Sequence, residues 1–266
     1  CGLDGGVVDE SAACAKWEAA AREGHACAKA WLARALFEGR GVAKDEARAK
    51  RLGAEALDAL EREAAAGGAH AQCALGFLML FDEGVAKDFE RAVELWKKAA
   101  EQNHALAQCN LGWCYQNGHG VAKDLERAVK WYTKAAEQNY ANAQVNLGFC
   151  YKNGEGVAKD LERAVEWFTK AAEQNHADAQ GNLGWCYQHG DGVAKDLARA
   201  VEWYTKAAEQ NHAQAQVELG NCYYNGKGVA KNFERAVEWY TKASEQNYAA
   251  AQNNLGICYK KGEGVA

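Results

Sequence analysis

The chain reads as an all-α solenoid of stacked helix–turn–helix units with a period of 36 residues. Three observations carry that reading. The pairs Leu111-Gly112, Leu147-Gly148, Leu183-Gly184, Leu219-Gly220 and Leu255-Gly256 follow one another at steps of 36 residues, and the Gly-Val-Ala-Lys runs from Gly120, Gly156, Gly192 and Gly228 keep the same step. Each unit contains two apolar stripes of helical period. Proline is absent from all 266 residues, which suits a chain that is nearly all helix. A unit this short cannot bury its apolar face alone, so neighbouring units must stack.

The first predicted element is a B-type helix near Ser11–Glu23, stopped at Gly24. Two less regular units follow. Val42-Ala43-Lys44-Asp45 precedes Val85-Ala86-Lys87-Asp88 by 43 residues, and the extra seven fall in the Ala/Glu/Arg/Leu-rich stretch Glu46–Ala66. The second helix of that unit is therefore expected to be two turns longer. Four near-identical units then run from 103 to 247. In the first of these, Ala107, Leu111 and Tyr115 place one apolar face on a helix A that begins at Ala105. Gly112 inside it costs about 1 kcal/mol against alanine, and its recurrence at 148, 184, 220 and 256 implies close approach of the partner helix. Asn117-Gly118-His119-Gly120 ends helix A.

Helix B follows, with Leu125, Ala128, Val129, Tyr132, Ala135 and Ala136 on its apolar stripe. Asp124, Asp160, Asp196 and Asn232 are placed to cap its N-terminus. Asn139 ends it, with Asn103, Asn175, Asn211, Asn247, Gly24 and Gly67 at the same place. Asparagine and glycine are the residues that most readily adopt the left-handed helix stop. Glu166→Lys170, Glu202→Lys206 and Glu238→Lys242 are i,i+4 pairs in the favourable order and imply a solvated face. A last A-type helix lies near Ala249–Lys260, for fourteen helices in all. The expected segments are 1–24, a divergent half unit; 25–102, two divergent units; 103–247, the regular array; and 248–266, a partial unit. The chain opens on Cys1 without methionine or a signal-peptide pattern and stops in a loop that should lead to a helix. The native protein is therefore expected to continue, and targeting signals to lie outside this sequence.

A net charge of −5 with acids and bases interleaved gives no footprint for nucleic acid or an anionic membrane. No apolar run approaches the roughly 20 residues of a membrane span. Of ten cysteines, Cys114, Cys150, Cys186, Cys222 and Cys258 share one place in the unit. Stacked equivalents stand on the order of 10 Å apart, beyond the roughly 7 Å reach of a disulfide. The expectation is a row of buried thiols in a reducing intracellular compartment, the cytoplasm. No zinc spacing, nucleophile–base pair or paired acid set stands out. His104, His176 and His212 alternate with Tyr140 and Tyr248, which points to a packing role for the ring. Gly118-His119-Gly120-Val121-Ala122-Lys123 follows a helix and lacks the Gly-Lys-Ser/Thr ending of a phosphate loop. No catalytic residue, metal or cofactor is assigned.

The run Ala105–Asp124 (Ala-x-Ala-Gln-x-Asn-Leu-Gly-x-x-Tyr-x-x-Gly-x-Gly-Val-x-Lys-Asp), followed by Ala128–Ala136 (Ala-Val-x-Trp-Tyr-x-Lys-Ala-Ala), resembles the Sel-one-like repeat. That family is a branch of the tetratricopeptide-repeat superfamily with a longer Gly-x-Gly loop. The resemblance extends from about Gly24 to the end of the chain. It implies a right-handed superhelix whose A helices line the concave surface. It also implies a non-enzymatic adaptor or scaffold in protein complexes. Secreted cysteine-rich members carry a disulfide in each repeat, and this chain lacks the second cysteine.

On that arrangement the places of Leu106, Cys109, Asn110, Trp113, Gln116 and Asn117 face the groove. The aromatic row is Trp113, Phe149, Trp185, Asn221 and Ile257; beside it run Asn110, Asn146, Asn182, Glu218 and Asn254, and Gln116, Lys152, Gln188, Tyr224 and Lys260. Rings can cover the apolar side chains of an extended peptide while amides bond its backbone. An alternative assignment has the asparagines bonding within the repeat and the rings packing between A helices. Trp131, Trp167, Trp203 and Trp239 on helix B border its apolar stripe and are read as inter-repeat packing. Three roles remain open: an adaptor for protein segments in the groove, a permanent structural subunit held by its ends and convex face, or a consensus-like repeat scaffold. The bare Leu255/Tyr259 face also admits end-to-end or C-terminal self-association.

Overall fold

A computed structural model describes residues 10–80 and 85–265. The described residues form fourteen α-helices and no strand. They fall into two compact units, Cys1–Ala143 and Gln144–Ala266. The first holds α1 (Glu10–Arg22), α2 (Ala26–Glu38), α3 (Glu46–Ala65), α4 (Ala69–Leu80), α5 (Phe89–Glu101), α6 (Ala105–Asn117) and α7 (Leu125–Glu137). The boundary falls within α8 (Ala141–Asn153). The second unit continues with α9 (Leu161–Glu173), α10 (Ala177–His189), α11 (Leu197–Glu209), α12 (Ala213–Asn225), α13 (Phe233–Glu245) and α14 (Ala249–Lys261). Within each unit, consecutive helices pack as antiparallel neighbours joined by short loops. The even-numbered helices are the A type and the odd-numbered ones the B type. At 20 residues, α3 is the two-turn extension expected of the first irregular unit.

The helix boundaries follow from local chemistry. Asp124 Oδ1 accepts from the Arg127 amide at 2.9 Å, and Asp45, Asp88, Asp160, Asp196 and Asn232 cap their helices in the same way. The cap's own amide donates back to helix A: Asp124 to the Tyr115 carbonyl and Asp196 to the Tyr187 carbonyl, each at 2.9 Å. One residue thus closes the loop and opens the next helix. Asn139 ends helix B at φ 63°, and its four asparagine equivalents adopt the same left-handed conformation. The expected Glu–Lys pairs are corrected. Each lysine ammonium lies over the tryptophan one turn back: Lys170 on Trp167 at 4.1 Å, Lys206 on Trp203 at 4.0 Å and Lys242 on Trp239 at 4.1 Å.

The core is one contact repeated. A Cβ built on Gly112 would stand 2.7 Å from the Tyr132 ring, because helix B presses that ring against the bare backbone of helix A. Gly76 meets Trp96, Gly148 meets Phe168, Gly184 meets Tyr204 and Gly220 meets Tyr240 at 2.5–2.6 Å. All five rings are buried. The irregular first pair inverts the device. There α2 carries buried Ala33 at the glycine's place, and α3 carries buried Gly53 at the ring's place. A methyl on one helix is matched by the loss of a ring on the other, as close packing requires.

Around this contact runs a buried amide ladder. Gln108 Nε2 donates to the Ala100 carbonyl at 3.1 Å, and its Oε1 accepts from Gln138 Nε2 at 2.6 Å. Gln72, Gln180 and Gln216 make both bonds at their own places. The carbonyls so engaged are among the last of the preceding helix B, which has no internal partner for them.

Candidate protein-interaction site

In the second unit the A helices α8, α10, α12 and α14 bring forward most of the candidate residues. Phe149 and Trp185 are half-buried on α8 and α10. The Phe149 ring packs edge-on against buried Phe168 at 5.3 Å, which fixes it from beneath. Lys152 Nζ lies 5.9 Å from the centroids of both Phe149 and Trp185, so one ammonium spans rings on two A helices. The outer face of Trp185 is stacked by His189 at 3.8 Å, and His189 Nδ1 is 3.0 Å from the Trp185 carbonyl. Ile257, at the same repeat place on α14, is exposed.

The polar rows divide by occupation. Asn221 is spent inside the fold: its Oδ1 accepts from Tyr240 Oη at 2.8 Å and from Asn254 Nδ2 at 3.3 Å, and its Nδ2 reaches Glu218 at 3.4 Å. Asn182 Nδ2 donates to the Asp178 carbonyl one turn back at 2.8 Å. Asn146 is half-buried. Gln188 Oε1 lies 3.9 Å from Cys222 Sγ, a weak contact, while Tyr204 Oη is buried with no hydrogen-bond partner. Tyr224 Oη bonds the Glu263 carboxylate and accepts from Lys261 Nζ at 2.9 Å.

The first unit presents the same places differently. Trp113 on α6 is exposed; its ring lies 4.7 Å from His119, which stacks on Phe89 at 5.6 Å. Gln116 Oε1 accepts from Tyr132 Oη at 2.7 Å, so this amide serves the buried ring. Asn110 is half-buried, and its Nδ2 is itself buried without a hydrogen-bond partner among the described residues. The aromatic row also extends upstream of the residues named from sequence. Phe77 stands at the place of Trp113, edge-on to Trp31 at 5.0 Å and to Trp96 at 5.3 Å, with the Arg34 guanidinium 4.6 Å above it. Counting back 36 residues from Trp113 reaches Phe77. One residue expected in the groove changes sides: Cys109 is buried. Tyr115 packs at the edge of the core cluster, as expected of it, with the Arg127 guanidinium 5.7 Å above its ring.

The remaining titratable rows are structural. Of the nine described cysteines all but Cys27 are buried. Burial raises the thiols of Cys114 and Cys150 to about 12 and those of Cys186 and Cys222 to about 11. His104 Nδ1 accepts from the Ala107 amide at 3.3 Å and His212 Nδ1 from the Ala215 amide at 3.1 Å, so both cap helix A. His212 also pairs with Asp178 at 3.0 Å. Among the described residues no cluster of His, Cys, Asp and Glu is arranged to hold a metal, and no helix is long and apolar enough to cross a membrane. On the B side, Trp131 with Lys134, Glu137 and Ala100 lines a cleft of about 410 Å³, and Trp239 lines its counterpart of about 460 Å³ in the second unit. Trp131 and Trp239 each pack on a buried cluster that includes the preceding repeat, as expected of inter-repeat contacts.

The profile of the Sel1 repeat matches seven segments, 28–59, 69–104, 105–140, 141–176, 177–212, 213–248 and 249–266. No protein of curated function matches the chain. Among solved structures, a Sel1 repeat protein from Oxalobacter formigenes is similar at 38% identity and a TM-score of 0.75, over 79% of this chain and 86% of that one. A protective antigen of uropathogenic Escherichia coli, c5321, is similar at 33% identity and a TM-score of 0.71 over 94% of this chain. This chain covers 52% of that antigen's length. A sel1 repeat protein from Klebsiella pneumoniae, at 21% identity and a TM-score of 0.50, shares the fold. Seven matched repeats, five of which hold the same glycine-on-ring contact, place the chain in the Sel1 repeat family.

Proposed function

We propose that this protein is a non-enzymatic interaction module that takes segments of partner proteins on its A-helix face. The observation that carries the reading is Lys152 over both Phe149 and Trp185. Two half-buried rings on separate A helices, joined by one cation, make an amphipathic platform. It fits an extended or helical segment with an apolar side chain beside a carboxylate. Exposed Trp113, with half-buried Asn110 beside it, gives the first unit a smaller version of the same face. Asn146, Asn182 and Gln188 line the rows beside the rings, while Tyr224, Asn254 and Ile257 extend the face toward α14 and Asn221 serves the fold beneath it.

The test is selection of peptides from a random displayed library on the parent chain, with binding then measured to the variant Trp113→Ala/Phe149→Ala/Trp185→Ala. Selected peptides should lose at least tenfold in affinity for the variant, about 1.4 kcal/mol, with helical circular dichroism unchanged. Charge reversal by Lys152→Glu should disfavour the acidic peptides selectively. Equal binding to parent and variants would move the interaction off this face. A ligand that never exchanges would favour a permanent structural subunit.

A further inference from the structure

Helix α10 carries two glycines, and packing demands only one of them. A Cβ on Gly184 would stand 2.6 Å from the Tyr204 ring. A Cβ on Gly181, one turn earlier, would meet only the His212 ring, at 3.4 and 3.7 Å, which is ordinary contact. At the place of Gly181 the other repeats carry Cys73, Cys109, Val145 and Val217, all of them buried. Gly181 is instead half-buried, so the missing side chain leaves the backbone open. It shares a stripe with Trp185 and Gln188, at i, i+4 and i+7. Nor does His212 need the space. His104 and His176 hold the same place relative to Cys73 and Val145, and His104 caps its helix as His212 does. A glycine inside a helix weakens it, and the fold supplies no reason for this one.

Resting on the A-helix reading above, we infer that Gly181 opens a notch for one apolar side chain of the partner segment, whose carboxylate pairs with Lys152. Trp185, one turn on, gives the bare backbone an apolar wall. Lys152 forms no ion pair among the described residues, and its ammonium lies 5.9 Å from the Trp185 centroid. The opposite end of the stripe is negative, because Asp178 stands one turn before Gly181 and pairs with His212 at 3.0 Å. Like charge disfavours a carboxylate there, so the acid of the segment lies toward Lys152. Lys152 holds on α8 the place that Gln188 holds on α10, seven residues after Gly181. That is about 10 Å of helical rise. Three residues of polyproline II chain cover about 9 Å and return to the same side. The occupant is therefore an extended segment with a valine- or leucine-sized residue three places from an aspartate or glutamate.

Peptides selected from a displayed library on the 266-residue chain test this. They should share an apolar residue three places from an acid, and moving the acid by one place should weaken them. Gly181→Val copies Val145 and Val217, so the variant should keep the parent's helicity and melt no lower. It should nevertheless bind the selected peptides at least tenfold more weakly. Gly181→Ala, a smaller filling, should fall between the two. Parent-like binding by Gly181→Val would overturn the inference. Loss of binding to Trp113→Ala/Phe149→Ala/Trp185→Ala in the same assay would then show that the A-helix reading itself stands. A lower melting temperature for both Gly181 variants would overturn it too, since the glycine would then serve the fold. Full binding by the ring variant and by Gly181→Val would sink the reading and the inference together.

Discussion

His104 shows how a single side chain ties this fold to pH. Burial, reinforced by the His70 ring 4.8 Å away, lowers it from 6.5 to about 4. Its Nδ1 must stay unprotonated to accept from the Ala107 amide. Between those two values the unfolded chain holds a proton that the folded chain lacks, so stability rises with pH across the window and is lost as pH falls through it. Replacing it with tyrosine, which stands at this place in Tyr140 and Tyr248, should flatten the difference in melting temperature between the two ends of the window. Sequence alone revealed the exchange of histidine for tyrosine and hence a packing ring. The capping bond was not legible, because it depends on a backbone amide three residues on. Nor was the contact with His70, which crosses from one A helix to the next.

At the scale of elements, the helix A glycines are the most demanding positions. Gly112→Ala would gain about 1 kcal/mol of helix propensity. It would also force the Tyr132 ring out of a 2.7 Å approach, an overpacking cost of about 1–3 kcal/mol. The same substitution at Gly256 meets no neighbour. Chemical denaturation should therefore show Gly112→Ala destabilised and Gly256→Ala unchanged or slightly stabilised. Close approach at Gly112 was legible because the glycine recurs where propensity opposes it. Its partner was not, since the ring's place holds Trp96, Tyr132 and Phe168 in turn. The buried glutamine ladder was also missed. A glutamine on a helix normally reads as solvated, and only the stacked neighbour shows the carbonyl it must satisfy. The candidate face was legible as a row of rings. Burial of Phe77 and commitment of Gln116 to Tyr132 depend on packing that a repeat pattern does not contain.

For the whole molecule, stability in a stacked array is a sum of repeat terms and nearest-neighbour terms. Residues 177–212 contain one complete repeat, with Gly184 and its ring Tyr204, and Gln180 with its partner Gln210. Their removal joins His176 to Ala213, the same junction as His212 to Ala213. The shortened chain should fold with unchanged ellipticity per residue and a lower melting temperature. Loss of an 18-residue half repeat should instead strand a ring without its glycine and unfold the neighbouring helices.

That glycine and ring belong to the same repeat bears on how such genes change. Lock and key travel together, so unequal crossing-over in steps of 36 codons adds or removes finished parts. Array length can then drift with little new selection on the core. The proposed partner face would lengthen or shorten one platform at a time, while each hidden joint is inherited intact.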